Sequence, residues 1–278
     1  QGRMDEALAA YDRAREVAEK RQDTSTAFEL AYKAAALEHA RDAHQPARER
    51  FRALALASPE NGKSPEAHLL AVFHAAQELK LAGRDTDAMT AAQEVYIALV
   101  EEHLAQWPSS PTASDAAWRL GRWHDHARQW EAAVAAYRRV APDHARFAAA
   151  LEAIGRSYTQ QIAELTERGE MSTDVATSAG EFFASAATGG TGRLPAEFDA
   201  AQRMAALWAA RFWIGRLQDN YDRAAELLMA ASSGGGVPLQ WRSEAVPLLI
   251  VALAAEGRHD DAQRLVGEVG SASTAETL

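Results

Sequence analysis

Seven alanines recur at positions 7, 47, 88, 133, 179, 224 and 262, separated by 40, 41, 45, 46, 45 and 38 residues. Most of them close a shared turn. Gly2-Arg3-Met4-Asp5-Glu6-Ala7, Gly83-Arg84-Asp85-Thr86-Asp87-Ala88 and Gly257-Arg258-His259-Asp260-Asp261-Ala262 are its clear copies. Residues 128–133 and 219–224 are looser versions, and those ending at Ala47 and Ala179 are degenerate. A period of this length means that one supersecondary unit is used many times, which constrains the fold more than any single residue does.

After the alanine a larger residue usually follows four positions on and a medium one seven on, as in Tyr11 and Ala14, Phe51 and Leu54, Tyr137 and Val140, Phe183 and Ala186, Leu228 and Ala231. That spacing places all three on one helix face. A second stripe precedes the turn: Val72, Ala75, Ala76 and Leu79; Ala117, Leu120, Gly121 and His124; Leu151, Ile154, Gly155 and Tyr158. Small residues at Ala76, Gly121 and Gly155 let two helices approach closely. The unit is therefore an antiparallel helix pair. One pair cannot bury its apolar face alone, so neighbouring pairs must stack. Composition agrees, being rich in Ala and Leu, with Arg well above Lys and few runs of Val and Ile.

This arrangement of small and large residues on paired helices resembles the tetratricopeptide repeat family over nearly the whole chain. Pro59, five residues after Leu54, matches the proline that commonly closes a unit there. Family units usually have about 34 residues, so the longer period implies lengthened helices or loops, and a HEAT-like solenoid, with units of about 40–47 residues, is the other option. The Gly-x-x-x-x-Ala turn favours the first. The expected fold is all-α, a single right-handed α-solenoid of six to seven helix pairs over 1–278, with units near 1–22, 23–62, 63–107, 108–145, 146–193, 194–238 and 239–272. A second resemblance covers about one unit. Trp107-Pro108-Ser109-Ser110-Pro111-Thr112-Ala113, with Ala116, Ala117, Leu120 and Gly121, is similar to bacterial envelope repeat proteins of the Tol–Pal accessory and outer-membrane-assembly lipoprotein types.

Several functions are excluded or disfavoured. With no Cys, the chain has no disulfide, thiolate nucleophile, cysteine-ligated zinc or iron–sulfur cluster. A net charge of −10 argues against nucleic acid as a partner. The longest apolar stretch, 246–255, is too short to span a bilayer. Residues 57–64, Ala-Ser-Pro-Glu-Asn-Gly-Lys-Ser, satisfy a relaxed phosphate-loop pattern, but a charged helical segment precedes them where a buried strand is required, and Pro59 removes an amide. His124-Asp125-His126 looks like a metal cluster, yet residues i and i+2 of a helix point about 200° apart. The remaining histidines are scattered without ligand spacing. No Gly-x-Ser-x-Gly, His-Glu-x-x-His or dinucleotide fingerprint occurs, so no enzyme, cofactor or metal is expected.

The family resemblance implies a concave groove lined by the first helix of each pair. The residues there that leave the packed stripe are Phe73, Gln77 and Lys80; Trp118, Arg122, Asp125 and His126; Glu152, Arg156 and Gln160; and Trp213 and Arg216. Four basic residues outnumber two acidic ones in this set, against the balance of the whole chain. Trp with Arg is a common interface anchor, and Arg clamps a carboxylate through two parallel hydrogen bonds. The expected function is a non-catalytic scaffold or adaptor holding a peptide or partner helix, of acidic or carboxy-terminal character, in the groove. The alternative is a ligand- or peptide-sensing regulatory region of a larger protein, with the glycine-rich stretch 167–195 as its moving part.

Ser64 and Ser243 read as helix N-caps, and 270–278 as a frayed end. The chain opens at Gln1 already in a helical pattern, as expected of a processed or trimmed chain. Residues 2–20 look like the second helix of a pair, whose apolar side, including Leu8 and Tyr11, would be capped by upstream sequence or by a second copy in a homodimer. The lack of Cys suits a bacterial envelope compartment, although helical cytosolic proteins share it.

Overall fold

The computed structural model describes residues 2–83, 86–233 and 236–275. Among them all regular structure is helical, about 78% of the chain, with no strand. The chain divides into two compact halves, residues 1–123 and 124–278.

The N-terminal half contains α1 (Gly2–Lys20), α2 (Thr24–Ala40), α3 (His44–Ala57), α4 (Ser64–Ala82), α5 (Thr86–Gln106) and most of α6 (Ala113–His126). In the C-terminal half follow α7 (Trp130–Tyr137), α8 (Phe147–Glu167), α9 (Thr173–Ala187) and α10 (Ala200–Phe212), which runs into a π-helical turn at Trp213–Leu217. Then come α11 (Tyr221–Ser232), α12 (Leu239–Ala255) and α13 (His259–Ala275). From α1 to α5, and from α7 onward, each helix packs against the next along the chain. In the C-terminal half α10 also touches α8 and α12.

The recurrent turn has a physical basis in helix termination. Asp42, Gly83, Arg128 and Gly257 each stand five residues ahead of a repeat alanine, with φ of 54°, 63°, 57° and 73°. Glycine takes this left-handed conformation without a Cβ penalty. The next amide closes the old helix with a six-to-one bond: Ala43 N to Glu38 O at 3.0 Å, Gln129 N to His124 O at 2.8 Å, Arg258 N to Leu253 O at 2.8 Å. A new helix then starts within a few residues, and Ala47, Ala133, Ala179 and Ala224 are wholly buried.

The two interiors differ. Phe28, Phe51, Leu54 and Trp107 centre the N-terminal core, and His68, His74 and His103 are buried with them. The C-terminal core is an aromatic stack in which Phe183 lies parallel to Phe212 and Trp208 at 6.0 and 5.9 Å. Two glycines admit it. A Cβ on Gly155 would lie 2.3 Å from the Trp208 ring, and one on Gly180 would lie 2.5 Å from Trp213 Nε1.

Three local expectations need correction. Ser64 is the first residue of α4 rather than its cap, and its hydroxyl donates to Ser58 O at 2.6 Å. Ser243 lies inside α12, which begins at Leu239 directly after Pro238. The stretch 167–195 is more regular than its glycines suggest: it contains α9, a 15-residue helix whose Ala176, Ala179, Gly180 and Phe183 share one buried side, in keeping with the helical spacing of Ala179, Phe183 and Ala186. At the C-terminus α13 continues to Ala275, and 276–278 lie outside the described residues.

Candidate functional site

In the N-terminal half, Lys80 is exposed and Gln77 and Phe73 are half-buried on α4. The Phe73 ring meets His39 and His74 edge-on at 6.0 and 5.3 Å. On α6, Arg122 and His126 are exposed while Trp118 and Asp125 are half-buried. Asp125 turns toward α8 and accepts the Ser157 hydroxyl at 3.1 Å. On α8, Arg156 and Gln160 face solvent. Arg216, on the π-turn, is exposed as well.

Trp213 is a correction. It was expected on the groove face with Arg216 but is 2% exposed, its ring against Gly180 and beneath the Arg223 guanidinium at 4.5 Å. Trp213 keeps regular helical geometry, its amide still donating to Ala209 O, and α10 is buried on nearly every side, with Ala205, Ala206, Ala209 and Phe212 enclosed as well. Burying a whole indole there outweighs leaving it on a wet face.

Three residues that the sequence reading missed join α8, α10 and α12. Trp208 Nε1–H donates to Glu152 Oε2 at 3.0 Å, and Arg211 lies over the Trp208 ring at 4.7 Å. Arg211 also pairs with Glu244 of α12. Glu152 Oε1 is 3.6 Å from Arg156 on the next turn of α8. The result is a continuous run of Arg, carboxylate and indole across three helices. No single-sequence signal connects positions 152, 208 and 244, because their meeting depends on how successive helix pairs pack.

A second concavity, about 790 Å³, lies on α7, α8, α9 and the start of α10. Helix α7 has only eight residues, and the chain then loops past Pro142 to α8. A longer α7 would cover the floor formed by Val140, Ala150 and Ile154. Arg138 stands at the rim, its guanidinium 4.7 Å over Phe182. It also bonds to the Tyr158 hydroxyl, whose pKa burial nevertheless pushes up. Glu181, on the same rim, is held ionised by the Arg223 hydrogen bond.

The phosphate-loop look-alike is a turn between α3 and α4, its Lys63 Nζ donating to Glu29 at 2.6 Å. His124 Nδ1 and Gln129 Oε1 are 2.6 Å apart. Among the described residues no three His, Asp or Glu side chains are placed to hold a metal ion, and no helix is long and apolar enough to cross a membrane. No family model matches the chain, and no curated protein sequence matches it significantly.

Proposed function

We propose that this chain is a non-catalytic scaffold of tetratricopeptide type, a right-handed solenoid that holds a peptide or partner helix against the first helices of its pairs. The observation that carries this reading is the run Arg156–Glu152–Trp208–Arg211–Glu244, with Gln160 open to solvent beside it. Trp and Arg are the residues that concentrate interface energy, and Arg156, exposed beside Gln160, can clamp an acidic segment or a free carboxylate. Peptide docking of this kind needs no catalytic group.

The test uses fluorescein-labelled peptides with an acidic C-terminal segment, one with a free carboxylate and one amidated. They are titrated with the parent chain and with an Arg156→Ala, Arg211→Ala variant whose folding circular dichroism has verified. Binding by the parent that falls at least about tenfold in the variant supports the groove, since losing two cation–carboxylate contacts removes more than about 1.4 kcal/mol. Equal binding by both removes this face from consideration.

The concavity beside α7 favours a second reading, a sensor for a small ligand or signalling peptide. Equilibrium dialysis against a metabolite mixture, with Ile154→Trp filling the floor, separates the two readings. The scaffold reading extends to self-association through α1, on which Leu8 and Tyr11 are half-buried. Light scattering that gives a monomer at high concentration counts against self-association.

A further inference from the structure

Five of the nine histidines lie in the N-terminal half, and three of these are wholly buried. They form two clusters. In the first, His74 of α4 is gripped from both sides: its Nε2 is 3.0 Å from His39 Nδ1 of α2, and its Nδ1 is 3.1 Å from His44 Nδ1 at the start of α3. Phe51 stacks on the same ring at 6.1 Å. Each outer ring reaches His74 through one nitrogen, so the trio is a chain of hydrogen bonds across three helices.

Counting protons limits what this chain can hold. A neutral imidazole has one N–H and one lone pair, so His74 donates to one neighbour and accepts from the other. One added proton fits: either the neighbour that already donates becomes an imidazolium, or His74 itself does and donates both ways. Two do not fit. If His39 and His44 are both charged, each presents N–H to His74, which has a single lone pair. The other charged groups around it leave little compensation. Asp42 of the α2–α3 turn faces His74. Glu38 is engaged by Arg41 at 2.6 Å, and Glu78 by Arg48 at 2.8 Å.

The second cluster also resists protons. His68 Nε2 is 2.9 Å from Glu102, a carboxylate already clamped by Arg52 at 2.7 Å through each oxygen. His103 Nε2 is 3.0 Å from the Thr112 hydroxyl. The two rings are 5.4 Å apart, both against Trp107, and the Nδ1 atom of each is buried without a hydrogen-bond partner. Protonating either ring therefore creates a buried N–H with no acceptor. Burial holds His68 below its usual range and brings His74 and His103 to about 4. The described histidines of the C-terminal half are half-buried or exposed.

We propose that α2 to α5 form an acid-opened element: the His39–His74–His44 chain accepts one extra proton, and a second parts His74 from a neighbour and unpacks α4 from α2 and α3. The device rests on proton counting and burial, and it stands whether or not the first helices bind a peptide.

Hydrogen exchange followed by mass spectrometry, on the full chain with a chelator present and corrected for intrinsic rates, tests it between pH 7.5 and pH 5. Protection in α2–α5 is expected to fall at least about tenfold more than in α8–α12, since local opening is measured directly by exchange. Nitrogen-15 spectra of the imidazoles should show one proton entering the trio before protection is lost and the second entering with the loss. The His39→Gln, His44→Gln variant, whose amide partners cannot charge, should open at a lower pH, and His44→Gln alone replaces it if the double variant is unfolded at pH 7.5. Equal loss in both halves, no loss at pH 5, two protons entering before any opening, or an unshifted midpoint in the variant overturns the proposal.

Discussion

The two halves solve the same problem with different interiors. In the N-terminal half, helices two apart along the chain meet through histidines, His39 with His74, and through Arg–carboxylate pairs, Arg50–Asp12 and Arg52–Glu102. In the C-terminal half they meet through large rings seated on glycine, Trp208 on Gly155 and Trp213 on Gly180. Helical repeats thus leave the choice of interior open. An apolar interior that encloses histidines makes packing answer to pH, whereas one built on rings seated against glycine makes it answer to volume.

The largest expected effect breaks the aromatic side. Trp213→Ala empties a site that is 2% exposed and removes the ring beneath Arg223, and should lower stability by about 3–5 kcal/mol in denaturant titration. A loss below about 1 kcal/mol would show that the indole is not part of a packed core. Gly155→Ala tests the same interior from the opposite direction, by overfilling it. With a Cβ 2.3 Å from the Trp208 ring, about 1–3 kcal/mol should be lost, and Trp fluorescence should shift as the ring moves.

Acid should discriminate between the halves. The unfolded imidazoles titrate near 6.5 and the folded His74 and His103 near 4. Below pH 6.5 the unfolded state therefore binds more protons, so stability is complete above that value and is lost as pH falls toward 4. Denaturant midpoints read by exchange in α2–α5 should fall across this window, while those in α8–α12 stay nearly level. The smallest effect belongs to Arg52→Ala. This half-exposed pair contributes about 0–1 kcal/mol, less in high salt. It sharpens the comparison because Arg52 also opposes protonation of His68, so its loss brings the folded His68 nearer the unfolded value and should lower the pH at which α4 and α5 separate.

Much of the local structure was legible in the sequence because its causes are local. The Gly83 and Gly257 turns follow from the left-handed conformation at a helix end, and the stripe Leu151, Ile154, Gly155, Tyr158 from helical periodicity. The candidate face was legible only in part. Arg122, Arg156 and Gln160 are exposed, whereas Trp213 is enclosed because α10 is buried on nearly every side, which depends on how many helices pack around it. Helix α9 was legible from the spacing of Ala179, Phe183 and Ala186 in spite of the glycines around it.

The sequence by itself determined that the chain is helical, where helices such as those before Gly83 and Gly257 stop, and the inward stripe of helices such as α8, since each depends on residues within about two turns of one another. Tertiary structure alone decided which inward faces meet. His39 finds His74 across 35 residues, and Glu152 finds Trp208 across 56. Those partners are set by the rotation and offset of one helix against another, and that geometry is a property of the packed surfaces rather than of either segment.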